Sequence, residues 1–481
     1  MWWSLFLCPL LSLAPAPARE LDCSQLAAAL LTELGAEDAA PGEVGMAELV
    51  RDGCIGAPLG LFDVYMPAAS LLDESTAASS YRSLCLALLD LQKRWNEWLA
   101  PASPEAAQAA RELAEVRAWV EGWDLAALMA LAEAGGGSLL DSPLASDEVR
   151  PAVRAFADRM ASGASVGLER SVEEREPIVL VPDRRRFVSF VCLGGWLYPD
   201  LQHVFWQPSI VDWTNTYIDE FKILALEFAA PGHDPDDIDA AMGMNERSST
   251  GMKQQIVQLA ANSLLDRIYG GRISPALAGG LALNLVIDLY GEANTRVDGD
   301  LRARRTEARE MFVPGGASTG GTLAVNPADS RWRQGGHGAD RFIGVLRRSQ
   351  KDASARVERG VSKTANFTLI DDAGLERTQI AGPFLGSAAS QTTAPTEPYI
   401  GDYLEFLRAY RCAFVWWLQN ESTGKEAEAD FAGFLLGMAG ASDASELEAV
   451  LEASFELPLS STELDKKGEL EGAFLQWLSK R

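Results

Sequence analysis

The chain has 481 residues, of which 47% are hydrophobic, so it can bury a large core in about two to four domains and is not a disordered protein. Its formal net charge is −26 and its pI is about 4.6. Because a surface with this charge repels a phosphate backbone, nucleic acid is excluded as a partner.

Residues 1–18 predict a cleavable secretory signal. An apolar stretch from Trp2 to Leu13, too short to span a bilayer, is followed by the small residues APA at 16–18 in the A-x-A arrangement. No other segment reaches transmembrane length. We therefore expect a secreted or periplasmic protein with no integral membrane segment after signal cleavage.

Five cysteines remain after removal of the predicted signal, and none belongs to a C-x-x-C pair. Cys23, Cys54 and Cys85 are the expected sources of one disulfide in an oxidising compartment. Cys192 and Cys412 lie among apolar residues in the sequence and are expected to be buried small hydrophobes.

Residues 19–135 predict an N-terminal helical region, because leucine and tryptophan recur at helical spacing, for instance between Leu84 and Trp98. The sequence AEAGGGSLLDSP at 132–143 is rich in alanine and glycine, which indicates a linker. Residues 143–163 predict one more helix.

The pattern changes at Pro177. The run PIVLVP at 177–182 is apolar, β-branched and bounded by prolines, which predicts a buried strand. Helix-like spacing follows at 183–191. Residues 204–206, with the sequence VFW, predict a second short strand.

Three helices are predicted next, over residues 212–230, 251–269 and 275–289. The third begins with proline, which is favoured at the first helical turn, and is almost wholly apolar. This helix must therefore be buried.

Residues 301–395 predict an irregular insertion. The sequence contains a glycine-rich loop, a charged helix around 341–350, and a hairpin over 365–380 whose turn is DDAG at 371–374. Helical periodicity returns at Tyr399 and continues to the end of the chain.

One segment resembles a known family. The sequence QQIVQLAANSLLDRIYGGRISPALAGGLALNLV at 254–286 is similar to the HExxH helix, glycine-rich turn and following helix of gluzincin-type (peptidase MA-like) domains of bacterial secreted proteins. The strand and helix after Pro177 and the C-terminal helices add to the resemblance, which covers 176–300 and 396–481. It implies an α+β, mostly helical fold whose gluzincin-like core is a small sheet plus helices. The N-terminal helical region and the irregular insertion are additions to that core.

The resemblance also implies where a zinc site would stand. Family members bind zinc with two histidines four residues apart and a downstream glutamate, and a glutamate beside the first histidine is the general base. The histidine positions fall at Val257 and Ala261, the general base at Gln258, and the downstream ligand at Gly279. None of these residues can bind zinc or act as a general base, so the resemblance implies a protein that has lost zinc and peptidase chemistry.

The histidine content agrees with this interpretation. The whole chain has three histidines, His203, His233 and His337, and no two are four or five residues apart. Since an HExxH site requires that spacing, we expect no zinc. No sequence motif indicates another cofactor.

A different hydrolase site stays open as an alternative. GASTG at 316–320 matches the G-x-S-x-G nucleophile motif, with Ser318 as nucleophile, Asp329 as orienting acid and His337 as base. However, the motif requires a strand before it, and here Pro314 precedes it.

The sequence therefore favours a catalytically inactive, metallopeptidase-like pseudoenzyme that acts outside the cytoplasm in binding or scaffolding. Its partner would be an unidentified protein, peptide or glycan. The alternatives are an active hydrolase with the non-zinc site above and a purely structural envelope protein.

Overall fold

The structure is a computed structural model that describes most of the N-terminal half and parts of the C-terminal half. The described residues are 22–40, 45–73, 77–161, 176–181, 184–206, 215–218, 223–227, 249–269, 275–291, 368–370, 376–378, 412–441, 444–456, 470, 473, 474 and 477.

Helices account for most of these residues. In chain order they are α1 (Cys23–Glu33), α2 (Met46–Gly53), α3 (Ala68–Asp73), α4 (Ala77–Leu99), α5 (Pro104–Glu121), α6 (Leu125–Glu133), α7 (Val149–Ala161), α8 (Arg184–Leu197), α9 (Gln202–Phe205), α10 (Ser249–Tyr269), α11 (Pro275–Tyr290), α12 (412–420), α13 (Ala427–Gly440) and α14 (Ala444–Phe455).

Eight strands are described. They are β1 (Cys54–Leu59), β2 (Phe62–Pro67), β3 (Gly137–Ser138), β4 (Glu176–Val181), β5 (Asn215–Ile218), β6 (Ile223–Glu227), β7 (Thr368–Ile370) and β8 (Glu376–Thr378). The first six form one mixed sheet in the order β3-β1-β2-β4-β6-β5. The pairs β1–β2 and β5–β6 are antiparallel, whereas β1–β3, β2–β4 and β4–β6 are parallel.

The helices begin where the sequence supplies caps. Ser103 precedes α5, and its hydroxyl oxygen accepts a hydrogen bond from the backbone N–H of Ala106 at 3.1 Å, while Pro104 occupies the first helical turn. Asp124 caps α6 in the same way, accepting from the N–H of Ala126 at 3.0 Å. Both caps satisfy N–H groups that a helix leaves unpaired.

Both faces of the sheet are covered, as strand β4 shows. Ile178 and Leu180 belong to the large helical core, whereas Val179 and Val181 belong to a second core formed with α1, α2 and α8. Alternate residues of a strand point to opposite faces, so the sheet lies between two layers of helices. The predicted α+β, mostly helical class is confirmed.

Helix α4 is the centre of the larger core. It contacts α5, α10, α11 and α13, and 14 of its 23 residues are buried. At one end, Trp98 donates to the Asp288 carboxylate of α11 at 2.9 Å, and Arg94 donates to the same oxygen at 2.8 Å. Trp98 also packs edge-on against Phe431 of α13, with ring centroids 5.7 Å apart.

Two polar side chains of α4 hold the β1–β2 hairpin. The Tyr81 hydroxyl donates to the Val64 carbonyl at 2.8 Å. The Gln92 amide accepts from the Leu61 N–H at 2.8 Å and donates to the Leu59 carbonyl at 2.7 Å. The buried backbone groups of the turn are thus paired, which avoids the cost of leaving them without partners.

The N-terminal region is not helical throughout, so this part of the prediction is wrong. Residues 19–135 contain β1 and β2, and the predicted linker at 132–143 supplies β3 and a buried turn of 3₁₀-helix at Leu139–Asp141. The linker prediction fails because this segment packs onto the sheet, and one of its glycines fits that close packing: Gly136, with φ +103°, lies against the Cys54 carbonyl. The helix predicted over 143–163 is confirmed as α7.

Two further predictions of secondary structure are wrong. Residues 204–206, predicted as a strand, lie in α9 and the turn that follows it. Residues 212–230, predicted as one helix, contain β5 and β6 instead. Residues 204–206 are a short apolar run in which periodicity alone does not separate strand from helix, and residues 212–230 mix helical spacing with β-forming residues.

Other predicted elements are confirmed: β4, α8, α10, α11 and the hairpin β7–β8. The hairpin turn at 371–374, the glycine-rich loop and the charged helix predicted around 341–350 lie outside the described residues. Among the described helices, none combines the length and apolar character needed to cross a membrane.

The five cysteines from Cys23 to Cys412 are all buried free thiols in this structure. The buried positions predicted for Cys192 and Cys412 are confirmed. The disulfide predicted among Cys23, Cys54 and Cys85 is not formed in this structure. Cys85 lies in α4 within the larger core, where it contacts Tyr81, whereas Cys23 and Cys54 lie in the second core.

We expect Gly136→Ala to destabilise the protein more than Gly135→Ala. Both glycines have φ near +100°, which costs an alanine about 1–3 kcal/mol. A Cβ at 136 would also lie 2.8 Å from the Cys54 carbonyl oxygen, whereas a Cβ at 135 meets nothing within 4 Å. Urea unfolding followed by circular dichroism measures the difference, and equal losses would contradict this packing.

Candidate functional site

The candidate site lies on the helix pair α10–α11, which carries the four positions to which the resemblance assigns a zinc site. Val257 and Ala261 are four residues apart, so they share one face of α10 as the motif requires. Both are 0% exposed and belong to the large apolar core. Any ligand at these positions would therefore be surrounded by hydrophobic side chains.

Gln258 occupies the position of the general base and is also buried, with 3% of its surface exposed. Its Oε1 has no hydrogen-bond partner within the described structure. A neutral amide can donate and accept hydrogen bonds but cannot accept a proton near neutral pH. Gln258 therefore cannot replace a glutamate in activating water.

Gly279 is placed differently from the three positions on α10. It lies in the first part of α11, is partly exposed, and a Cβ built on it would meet no atom within 4 Å. The structure thus places one of the four positions in open space and three in the core. Helices α10 and α11 pack against each other, so the four positions lie on neighbouring helices.

Asn284 on α11 is a buried polar residue that the sequence analysis does not identify. Its Nδ2 donates to the Cys412 carbonyl at 2.9 Å and to the Gly280 carbonyl at 2.8 Å, but its Oδ1 finds no partner in the described part of the chain. The signal in the sequence is a single amide within the apolar run LALNLVI. Such a residue in a buried helix must find backbone partners.

The donor set around the candidate site does not suit a metal. Val257, Ala261 and Gly279 offer no ligand atoms, and Gln258 offers only an amide. Within the described ranges, no three histidine, cysteine, aspartate or glutamate side chains come together in a group able to hold a metal ion. His203 is exposed, with its ring Nδ1 3.1 Å from the Asp200 carbonyl.

The residues of the alternative hydrolase site, Ser318, Asp329 and His337, lie outside the described residues, as does His233. Their arrangement therefore stays a prediction.

A serine–lysine contact joins α4 to α10, and the sequence analysis does not identify it. Lys253 donates from its ammonium nitrogen to the Ser83 hydroxyl oxygen at 3.1 Å. Burial lowers the pKa of Lys253, and the nearby Arg117 lowers it further, while Asp90 raises it. A lysine beside a serine is the arrangement used by serine–lysine hydrolases.

The backbone around Ser83 argues against catalysis by this pair. Ser83 lies inside α4, where the backbone N–H groups are engaged in hydrogen bonds along the helix. An oxyanion hole needs N–H groups that point toward the reacting oxygen. We therefore interpret the contact between Lys253 and Ser83 as a bond between helices.

No protein-family model matches the chain, and neither a curated protein nor a solved structure matches it. The resemblance to gluzincins therefore rests on the chain's own residues.

We expect Gln258→Met to leave the free energy of unfolding within about 1 kcal/mol of wild type or to raise it, because it removes an unpaired buried acceptor. Gln258→Glu should instead cost about 3–5 kcal/mol near neutral pH, because a carboxylate would be buried without a partner. Burial raises the pKa of such a carboxyl, so the cost should shrink at lower pH, where the group is protonated.

Urea denaturation at several pH values measures the free energy of unfolding of both Gln258 variants. Gln25→Glu, an exposed site on α1, is the control for the change of amide to carboxylate. Equal effects at positions 25 and 258 would contradict the burial of Gln258.

We expect the pH dependence of stability to change in Lys253→Met. The folded-state pKa of Lys253 lies below the ordinary value of 10.5, so the unfolded chain binds more protons between the two values. Wild type should therefore gain stability relative to the variant as pH rises toward 10.5. The control is Lys93→Met. Lys93 lies on α4, and its side chain is 43% exposed. Identical pH profiles for the two variants would contradict the assignment.

Proposed function

We propose that this protein is a catalytically inactive metallopeptidase-like pseudoenzyme with a degenerate gluzincin-type core, and that it acts outside the cytoplasm in binding or scaffolding. The order of elements supports the core. Strand β4, helix α8, the pair β5–β6 and the helices α10 and α11 follow one another, as a small sheet plus helices would.

Contacts between residues on either side of the predicted insertion also support a core built from two separate parts of the sequence. The Tyr269 hydroxyl at the end of α10 donates to the Leu435 carbonyl of α13 at 3.1 Å. Asn284 of α11 bonds to the Cys412 carbonyl of α12. Residues before 301 and after 395 therefore pack as one core, which is what an insertion over 301–395 requires.

The observation that carries the proposal is the complete burial of Val257 and Ala261. A catalytic zinc needs three protein ligands and an open position for water or substrate. Apolar side chains at both histidine positions add to the packing of the core, while Gln258 keeps nearly the shape of glutamate without its basicity. Substitutions of this kind keep the packing of the helices and remove zinc-dependent hydrolysis.

The proposed role is binding or scaffolding, because the side chains at the four positions cannot bind zinc or activate water. The predicted signal supports action outside the cytoplasm, and the net charge of −26 disfavours nucleic acid. We propose a protein, peptide or glycan as the partner. The purely structural alternative differs in requiring no ligand.

The first test is metal analysis of the purified full chain by mass spectrometry, together with a peptidase assay. We expect no stoichiometric zinc and no hydrolysis. Zinc at one ion per chain would overturn the proposal.

A second test asks whether α10 and α11 keep the family's geometry. The triple variant V257H/A261H/G279E restores the three ligand types, and we expect it to bind one zinc ion per chain. The matched control is L259H/S263H/G279E, which places histidines with the same spacing at half-buried positions on the opposite face of α10. Zinc binding by neither variant, or by both alike, would contradict a gluzincin-like core.

The variant V257H/A261H/G279E buries polar groups, so zinc should also be titrated during refolding. Metal binding supplies folding free energy when the site forms only in the folded chain. Zinc-dependent refolding is therefore expected for V257H/A261H/G279E and not for the control.

A further inference from the structure

Helices α1 and α8 pack together on the face of the sheet opposite α4, and each contributes a cysteine to their interface. Cys23 is the first residue of α1 and Cys192 lies within α8. Cys23 is 6% exposed and Cys192 is 0% exposed, and both belong to the same apolar cluster. The two thiols form a hydrogen bond with each other.

Two other described thiols, Cys85 and Cys412, have different neighbours. Cys85 is hydrogen-bonded to Tyr81 in the larger core. The Sγ of Cys412 lies 3.6 Å from the Asn284 amide nitrogen. Contact between Cys23 and Cys192 thus identifies these two thiols as the described pair that a disulfide would join.

We propose that Cys23 and Cys192 form a disulfide in the mature protein, which links the N-terminal helix to α8. The bond requires an oxidant, and the chemical class is another disulfide, either a small one such as glutathione disulfide or that of a thiol–disulfide oxidoreductase. Two protein thiols and one oxidant disulfide give one protein disulfide and two reduced thiols.

The exchange proceeds in two steps. One protein thiolate attacks the oxidant disulfide, forms a mixed disulfide and releases the first oxidant thiolate. The second protein thiolate then attacks the protein sulfur of the mixed disulfide and releases the second oxidant thiolate, while the two protons of the protein thiols pass to the released groups.

Cys23 is the better first nucleophile. Burial raises the pKa of both thiols, but the hydrogen bond from Cys192 opposes this effect at Cys23, whereas the same bond raises the pKa of Cys192 further. The thiolate is the reactive form, so exchange in the folded protein is slow. We therefore expect the bond to form during folding, before α1 has packed onto α8.

The inference rests on the proposed export only for the source of the oxidant, and it does not depend on the gluzincin-like core. It can be tested on the purified full chain. The reduced, unfolded protein is refolded with reduced and oxidised glutathione, digested without reduction, and mapped by mass spectrometry.

The expected result is one cross-linked peptide pair containing Cys23 and Cys192. It should persist in Cys85→Ser and disappear in Cys23→Ser and Cys192→Ser. A pair containing Cys23 and Cys54, or full alkylation of every cysteine after oxidation, would overturn the proposal. Because the map is made on wild type, the result does not depend on whether the serine variants fold.

Stability supplies the second readout. The oxidised protein should unfold at higher urea concentration than the reduced protein, because the bond closes a long loop in the unfolded chain. This difference should remain in Cys85→Ser and vanish in Cys23→Ser. An equal midpoint for oxidised and reduced wild type would overturn the linking role of the bond.

Discussion

The packing of helix α4 is the constraint on which the rest of the structure depends. Its side chains pair with the turn of the β1–β2 hairpin, with the carboxylate of Asp288 on α11, and with the aromatic rings of α10 and α13. A helix that is apolar on most sides must be surrounded by other elements. The predicted N-terminal region and the predicted gluzincin-like core therefore share one hydrophobic cluster.

This shared core explains why the candidate site is buried. Val257 and Ala261 belong to the same cluster as the residues of α4, and α10 contacts α4 directly. Had histidines stood at these positions, they would have needed polar partners or a metal to offset burial. Alanine and valine need neither, so these two positions add apolar contacts to the core.

The elements predicted best are those with a long and regular pattern. Helices α10 and α11 and strand β4 follow from periodicity and flanking prolines, and the four degenerate positions could be placed on their helices from sequence alone. Strands β5 and β6 could not, because residues 212–230 mix helical spacing with β-forming residues. The role of Gly136, the contact of Lys253 with Ser83, and the pairing of Cys23 with Cys192 depend on tertiary neighbours that a single sequence does not reveal.

The parallel pairing of β2 with β4 constrains how the chain folds. Phe62 pairs with Glu176 and Tyr65 with Val179, so the two strands meet only after more than a hundred intervening residues have been placed. Closing so long a segment slows folding relative to local helix formation. During synthesis, the edge of β2 that pairs with β4 therefore stays unpaired until the ribosome has released the chain as far as residue 179.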